Sequence, residues 1–298
     1  MSAATQIEEI RIQSWEELSE ALYRDSWNQN IQRFRSDYVF RGLSCVEWPL
    51  ATALSRLGGN YRDLEAHLLR NFRKYAQQSR SFSDSEWNWL AVAQHHGLPT
   101  RLMDWTYSPF VAAHFATECL EAFNRDGIIW CVNYVGLHEL LPPKMRRLLK
   151  QERSNAFTVD MLSSVASNLA DLENFSHDAF AFYFEPPSFD ERIVNQFALF
   201  SMMSSPETQL DDFLQDHPQL VRRVIIPAEC KWEVRDKLDQ ANITERVLFP
   251  GLDGLSRWLR RHYMPHDTGS ARQRKHLCEL ELIEDHPAAE PDDKRKAS

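Results

Sequence analysis

The spacing of apolar residues along the chain predicts short strands that alternate with amphipathic helices. Apolar runs predict strands over residues 7–12, 38–42, 128–135, 179–187 and 220–226 and, after a turn, within residues 192–203. Helical spacing predicts helices over residues 60–80, 85–96, 158–175, 228–240 and 253–263, and one from Pro109 to residue 123. Two further helices are predicted to begin after a Ser14 cap and at Ser205-Pro206. Gly97 is expected to end the helix over residues 85–96, because glycine is favoured just past a helix end.

This irregular order of elements predicts the fold class. No repeat and no regular strand–helix–strand rhythm is present, which favours an α+β fold with a mostly antiparallel mixed sheet and helices packed around it. The composition becomes polar after Met264 and ends in EPDDKRKAS. We therefore predict one α+β domain over residues 1–264 and a polar helix with a disordered tail over residues 265–298.

Composition and charge narrow the classes of partner. Hydrophobic residues make up 43% of the chain and charged residues 26%, which is enough to bury a sizeable core. The formal net charge is −9 and no basic stripe runs through the chain, which argues against nucleic acid as a partner. No apolar run approaches the ~18 residues of a membrane span, so no membrane partner is expected. The five cysteines are scattered and predict reduced thiols in a cytoplasmic protein. The sequence does not indicate the oligomeric state.

Residues 94–106 are the densest candidate for chemistry. Polar residues are interleaved there with Leu, Met and Trp, so a half-buried loop after a helix end is expected, with Arg101 and Asp104 as a local ion pair. His95 and His96 project about 100° apart on a helix, so at most one of them faces a site. That histidine is either an acid–base group or a cap for the last carbonyls of the helix. No metal is expected, since His114 and Cys119 have no third ligand at zinc spacing.

Five blocks of sequence carry a family resemblance: residues 40–42 (FRG), 94–106 (QHHGLPTRLMDWT), 108–116 (SPFVAAHFA), Arg192-Ile193 with Gln196 and Phe200, and 248–255 (LFPGLDGL). Together they resemble the FRG domain family, which is named for its aromatic-Arg-Gly motif, over residues 7–263. Ala198 stands where that family more often has glycine. The resemblance brings no settled activity with it.

The aromatic-Arg-Gly motif is also similar to the first motif of ADP-ribosyltransferases of the Arg-Ser-Glu type. That similarity implies an ADP-ribosyltransferase-like fold and NAD as substrate, with the Arg41 fork on its phosphates and Gly42 permitting close approach. The residues expected to be catalytic are Arg41, His95, His96 and Gln196. Those expected to bind NAD are Arg41, Gly42, Thr100, Arg101, Asp104, Trp105 and Thr106.

Two functional hypotheses stay open on the sequence. The first is an enzyme that consumes NAD, by ADP-ribosyl transfer to a protein or other macromolecular acceptor or by hydrolysis; small proteins of that class often act as toxins or in defence. The second is a non-catalytic module for ligand sensing or protein interaction. A metal-dependent hydrolase or nuclease is less supported, because paired carboxylates and metal clusters are lacking. One open cleft holding Arg41, the 95–106 loop and Gln196 would favour the enzyme.

Overall fold

A computed structural model describes residues 6–76, 84–188 and 190–265 and confirms the α+β class. Ten strands are formed in these ranges: Glu8–Arg11 (β1), Trp27–Asn28 (β2), Arg33–Phe34 (β3), Tyr38–Leu43 (β4), Met103–Thr106 (β5), Gly127–Asn133 (β6), Phe157–Thr158 (β7), Ala181–Glu185 (β8), Ala198–Met203 (β9) and Val221–Ile226 (β10). The α-helices in the same ranges are Trp15–Tyr23 (α1), Tyr61–Ala76 (α2), Glu86–His95 (α3), Pro109–Phe115 (α4), Tyr134–His138 (α5), Pro143–Glu152 (α6), Val159–Val165 (α7), Leu169–Glu173 (α8), Glu191–Asn195 (α9), Leu210–Gln215 (α10), Lys231–Gln240 (α11), Glu245–Leu248 (α12) and Leu252–His262 (α13).

One large mixed sheet organises the chain. Its strand order is β1-β10-β6-β4-β5-β9-β8-β7, and only the outermost pairs, β1–β10 and β7–β8, are parallel. The prediction of a mostly antiparallel sheet is therefore confirmed. Strands β2 and β3 form a separate short hairpin.

Both faces of the sheet are covered by apolar side chains. Phe40 of β4 packs with Ile129 of β6 and Val224 of β10 beneath helices α1, α4 and α11. Val39, the preceding residue, belongs to the apolar cluster on the opposite face, with Trp130. Successive strand residues point to opposite faces, so Arg41 shares the face of Val39 and not that of Phe40. A third cluster packs α3, α6 and α7 against β8 and β9.

The predicted helix ends are largely confirmed. The Ser14 hydroxyl accepts a hydrogen bond from the Glu17 backbone N–H (3.2 Å), as an N-cap does. The Ser108 hydroxyl caps α4 in the same way through the Val111 N–H. Gly97 follows α3 with φ of 80°, the left-handed conformation that ends helices.

Several elements differ from the prediction. The predicted loop after Gly97 contains strand β5, which lies inside the sheet between β4 and β9. Its buried Met103 and Trp105 alternate with Asp104 and Thr106, so it has the period of a strand although it is only four residues long. The helix predicted to begin at Ser205-Pro206 starts only at Leu210. Helices α5 and α6 were not predicted.

Helix α4 is also shorter than the predicted helix to residue 123. It ends at Phe115, where the Thr117 hydroxyl donates to the Ala113 carbonyl (2.8 Å) and so competes with continuation of the helical pattern. A separate 3₁₀ turn covers Leu120–Ala122. Glu118 therefore lies in a connection and not on a helix.

Residues up to Trp258 form one compact unit, and residues from Leu259 onward are grouped separately. The domain boundary at residue 264 stays a prediction. The predicted polar tail lies, apart from Pro265, outside the described residues. Within the described ranges no helix has the length and apolar character needed to cross a bilayer. Cys45, Cys119, Cys131 and Cys230 are free thiols, and Cys278 lies outside the description.

Candidate functional site

Arg41 lies where β4 and β5 separate. The two strands pair in register only at Phe40 and Thr106. Beyond that pair the Arg41 guanidinium (Nη1) donates a hydrogen bond to the backbone carbonyl of Asp104 (2.5 Å). The side chain thus connects β4 to β5 at the point where the backbone ladder between them stops.

The positive charge of Arg41 has no direct counter-ion within residues 6–76, 84–188 and 190–265. Among the described residues no carboxylate forms an ion pair with it, and its buried Nε has no hydrogen-bond partner. Burial lowers the pKa of Arg41; the charges of Asp104 and Glu118 act against that shift, while Arg56 adds to it. The Arg41 side chain is half-buried, and a cation that is partly withdrawn from water without a paired anion favours an anionic ligand.

Asp104 is exposed and is held by the end of α3. Its carboxylate accepts a hydrogen bond from the Gln94 side chain (2.9 Å), and the Thr100 hydroxyl donates to the oxygen of the same amide (2.6 Å). Thr100 in turn accepts from the Leu102 backbone N–H. This chain of hydrogen bonds fixes the turn between α3 and β5 and presents the Asp104 carboxylate beside Arg41.

The predicted ion pair between Arg101 and Asp104 is wrong. Arg101 is 7% exposed and its guanidinium pairs with Glu65 of α2 and with Glu173 of α8 (2.9 Å). The Arg101 backbone N–H also donates to Glu65 (3.1 Å). Two buried or half-buried carboxylates from distant elements are better partners than the exposed Asp104, because burial strengthens ion pairs. Arg101 therefore anchors the turn to α2 and α8.

The two histidines have different surroundings. The His95 side chain is 11% exposed and its Nε2 contacts the carboxylate of Asp190, which also caps α9 by accepting from the Ile193 N–H (3.1 Å). Burial lowers the pKa of His95, and Asp190 acts against that shift. His96 is exposed beside the ring of Phe72. Of the pair, His95 is thus the one held in a defined position.

The other predicted site residues make internal hydrogen bonds. Trp105 is buried and its indole N–H donates to the Ser201 hydroxyl (2.8 Å). The Thr106 hydroxyl donates to the backbone carbonyl of Gln196 (2.7 Å). The Gln196 side-chain amide donates to the Leu248 carbonyl (3.0 Å). Gln196 thereby links the turn before β9 to α12.

Gly42 is in contact with protein backbone. A Cβ built at this position would lie 1.9 Å from the Ala112 carbonyl oxygen and 2.6 Å from the Ala116 nitrogen. Glycine here lets α4 approach β4 more closely than any side chain would allow.

Glu118 is a site residue that the sequence did not reveal. It follows α4, and its carboxylate lies 3.8 Å from His114 Nε2 with 39% of the side chain exposed. Arg235 Nη1 lies 2.9 Å from His114 Nδ1. Because arginine can only donate, Nδ1 accepts and the proton of a neutral His114 is on Nε2, toward Glu118. Burial raises the pKa of Glu118 to about 7, although Arg235 and Arg257 favour its ionised form.

An aromatic ring between two arginines borders the same region. The guanidinium groups of Arg192 and Arg257 lie 5.0 Å and 4.2 Å from the centre of the Phe249 ring. Phe249 also contacts Phe115, at the end of α4. Both arginines are exposed and act electrostatically on Glu118. They bring positive charge from α9 and α13 toward the charged groups around Arg41.

Replacing Glu118 by glutamine is expected to change how stability depends on pH. Between the ordinary pKa of 4.5 and about 7, the folded wild type retains a proton that the unfolded chain releases, so stability falls as pH rises through this interval. Glu118→Gln removes this loss. Urea unfolding should therefore show the variant gaining stability relative to wild type from pH 5 to pH 8.

Glu121, an exposed glutamate close by, provides the control for that measurement. Glu121→Gln is expected to keep the same offset from wild type at both pH values. If the stability difference between Glu118→Gln and wild type were equal at pH 5 and pH 8, the raised pKa of Glu118 would be contradicted. Because 39% of Glu118 is exposed, solvent screens part of the effect and only its direction is predicted.

Cavities and metal ligands add two observations. Arg41 lines neither of two cavities found among the described residues. The same part of the chain contains no group of three His, Cys, Asp or Glu side chains arranged to hold a metal ion.

Comparison with known proteins finds a family match for part of the chain. Residues 36–125 match the FRG domain family, as the sequence motifs in that segment predicted. The matched region runs from just before β4 to just before β6, and it includes Arg41, the turn from α3 to β5 and Glu118. Arg192, Gln196 and Phe249 lie outside it.

No curated protein and no solved structure matches the chain. The predicted likeness to the ADP-ribosyltransferase fold stays a prediction.

Proposed function

We propose that this protein binds NAD and breaks the bond between nicotinamide and ribose, passing the ADP-ribosyl group to a macromolecular acceptor or to water. The observation that carries the proposal is that Arg41 has no ion-pair partner among the described residues. In the same part of the chain, buried Arg101 and Arg235 each pair with a glutamate, whereas the Arg41 guanidinium donates to a backbone carbonyl. An arginine placed in this way is suited to a ligand that brings its own negative charge.

The pyrophosphate of NAD fits that requirement. Its oxygens accept two parallel hydrogen bonds from a planar guanidinium, a geometry that lysine does not reproduce. The exposed Arg192 and Arg257 supply further positive charge beside the Phe249 ring. This charge supports a phosphate-bearing ligand.

Glu118 is the carboxyl group proposed to assist bond cleavage. As the C1′–N bond breaks, its electron pair leaves with nicotinamide and the ribose acquires oxocarbenium character, which an ionised carboxylate stabilises. Water or an acceptor nucleophile then attacks C1′ and releases a proton. Because the pKa of Glu118 is about 7, we expect activity to rise with pH as this carboxyl ionises.

A non-catalytic binding module is the second candidate. It is favoured by the internal hydrogen bonds of Thr106 and Gln196, which leave these side chains committed to the fold. It is favoured also by the position of Arg41, which lines neither of the two cavities described above among the described residues.

Nicotinamide release from NAD by wild type and Arg41→Lys tests the proposal. Lysine keeps the charge and loses the fork, so NAD affinity is expected to fall roughly 10- to 100-fold. Arg223→Lys is the matched control, since Arg223 is a half-buried strand arginine in register with Trp130, the residue that is also in register with Arg41. The control should release nicotinamide at the wild-type rate.

Thermal unfolding with and without NAD separates the two candidates. The enzyme predicts that NAD raises the Tm of wild type and of the control but has little effect on Arg41→Lys. If wild type neither released nicotinamide nor showed a NAD-dependent shift in Tm, the hypothesis of a NAD-consuming enzyme would be excluded. If Arg41→Lys were then also strongly destabilised, Arg41 would be a structural connection between β4 and β5.

A further inference from the structure

A second candidate site lies between α5 and the C-terminal part of α6. The cavity has a volume of about 280 Å³, and its polar lining comes from His138 and Glu139, from α6 and from the turn that follows. Ligand pockets usually measure ~300–1,000 Å³, so this cavity is slightly smaller than that range and suits a small ligand. It shares no lining residue with the region around Arg41.

The basic residues of α6 are distributed over different faces of the helix. Arg146, Lys150 and Arg153 are four and three positions apart, and all three line the cavity. Lys144 donates instead to the Val165 carbonyl (2.7 Å), and Arg147 Nε bonds back to the Pro143 carbonyl (3.3 Å). Three of the five basic side chains in residues 143–153 therefore line the cavity.

These three cations outnumber the anions around them. Glu139 is the one carboxylate in the lining, and no ion pair joins Arg146, Lys150 or Arg153 to a carboxylate in the described part of the chain. Arg146 Nε is buried without a hydrogen-bond partner there. The chain as a whole carries a net charge of −9, so this concentration of positive charge is local.

His138 contributes no charge to the cavity at neutral pH. Its Nδ1 donates to the Asn155 carbonyl (2.8 Å), and its Nε2 accepts from the Tyr183 N–H (2.9 Å). Burial lowers the pKa of His138 to about 4. The lining therefore has three positive groups against the single negative charge of Glu139.

The helix dipole accounts for only part of this arrangement. Lys150 and Arg153 lie at the C-terminal end of α6, where cations are favoured in any helix. Arg146 lies more than one turn before that end, beyond the reach of the effect. Arg146 nevertheless lines the cavity, so the positive charge there exceeds what the helix end explains.

We propose that this cavity binds a small phosphate-bearing molecule. A phosphate monoester carries about two negative charges at neutral pH, which matches the surplus of positive charge, and its oxygens accept hydrogen bonds from arginine and lysine together. The volume suits a phosphate ester with a short carbon skeleton better than a dinucleotide. The site is separate from the one proposed for NAD and does not depend on it.

Isothermal titration calorimetry with glycerol 3-phosphate and with AMP tests the proposal, with glycerol and adenosine as uncharged counterparts. Wild type is expected to bind at least one phosphate ester and neither counterpart. The double variant Arg146→Gln/Lys150→Gln should bind about tenfold more weakly or worse, because two charge-assisted contacts are lost. Arg147→Gln, a charge loss on the same helix outside the cavity, should retain the wild-type affinity.

Two further variants locate the binding. Lys150→Gln/Arg153→Gln removes exposed cations only and should weaken binding even if the Arg146 variant unfolds. Arg41→Lys should leave the affinity for glycerol 3-phosphate, the probe without a nucleoside, unchanged, which separates this cavity from the Arg41 region. The proposal is overturned if neither ester binds wild type at millimolar concentration, if both double variants bind as wild type does, or if Arg41→Lys abolishes binding.

Discussion

Replacing Gly42 by alanine is expected to prevent stable folding, at a cost of about 4 kcal/mol or more. The added Cβ would lie 1.9 Å from the Ala112 carbonyl oxygen and 2.6 Å from the Ala116 nitrogen. Both are backbone atoms of α4 and the turn after it, so no side chain can rotate out of the way. Relief requires α4 to move off the central strand, and overpacking of this kind belongs to the most destabilising class of substitutions.

Urea unfolding or the yield of folded protein measures the effect, with Gly97→Ala as the control. Gly97 has no atom within 4 Å of an added Cβ but has φ of 80°, so alanine there should cost only about 1 kcal/mol of conformational strain. A Gly42→Ala variant that stays within 1 kcal/mol of wild type would show that α4 does not contact β4 as described.

Replacing Arg101 by methionine is expected to cost about 3–5 kcal/mol of unfolding free energy. The substitution leaves the Glu65 carboxylate, whose side chain is 3% exposed, without its partner inside the protein. It also frees Glu173 of α8 from the turn before β5. An unpaired buried charge is the cause of the loss, more than the removed attraction itself.

A second substitution tests this cause directly. Arg101→Met/Glu65→Leu removes the stranded charge and should be more stable than Arg101→Met alone. Arg223→Met breaks the partly exposed pair with Glu9 and should cost no more than about 1 kcal/mol. A cost for Arg101→Met as small as that of Arg223→Met, or a double variant less stable than the single one, would count against a buried ion pair.

The sequence predicted the elements whose pattern is local. Helix caps such as Ser14 and Ser108, and the helix end at Gly97, depend on neighbouring residues and were predicted correctly. Strand β5 was missed because four residues are too few for a period to stand out. Its identity depends on β4 and β9 on either side, which only the folded sheet brings together.

The candidate site could be predicted only in part for a similar reason. Arg41 and the 94–106 block were visible as a motif, and the structure brings Arg41 to the Asp104 backbone. The partners of Arg101 are 36 and 72 positions away in sequence, so spacing suggested the neighbouring Asp104 instead. Glu118 was hidden because the predicted helix continued past it, and its raised pKa arises from tertiary burial.

The single register pair between β4 and β5 divides the large sheet into two mechanical halves. Six register pairs join β4 to β6 and four join β5 to β9, but a single register pair, Phe40 with Thr106, joins β4 to β5 and so the two four-stranded halves. If the sheet opens locally, it is therefore expected to separate first between β4 and β5, in the middle of the sheet. Arg41 connects these two strands, so an anion held by its guanidinium would stiffen the junction and make the two halves move as one.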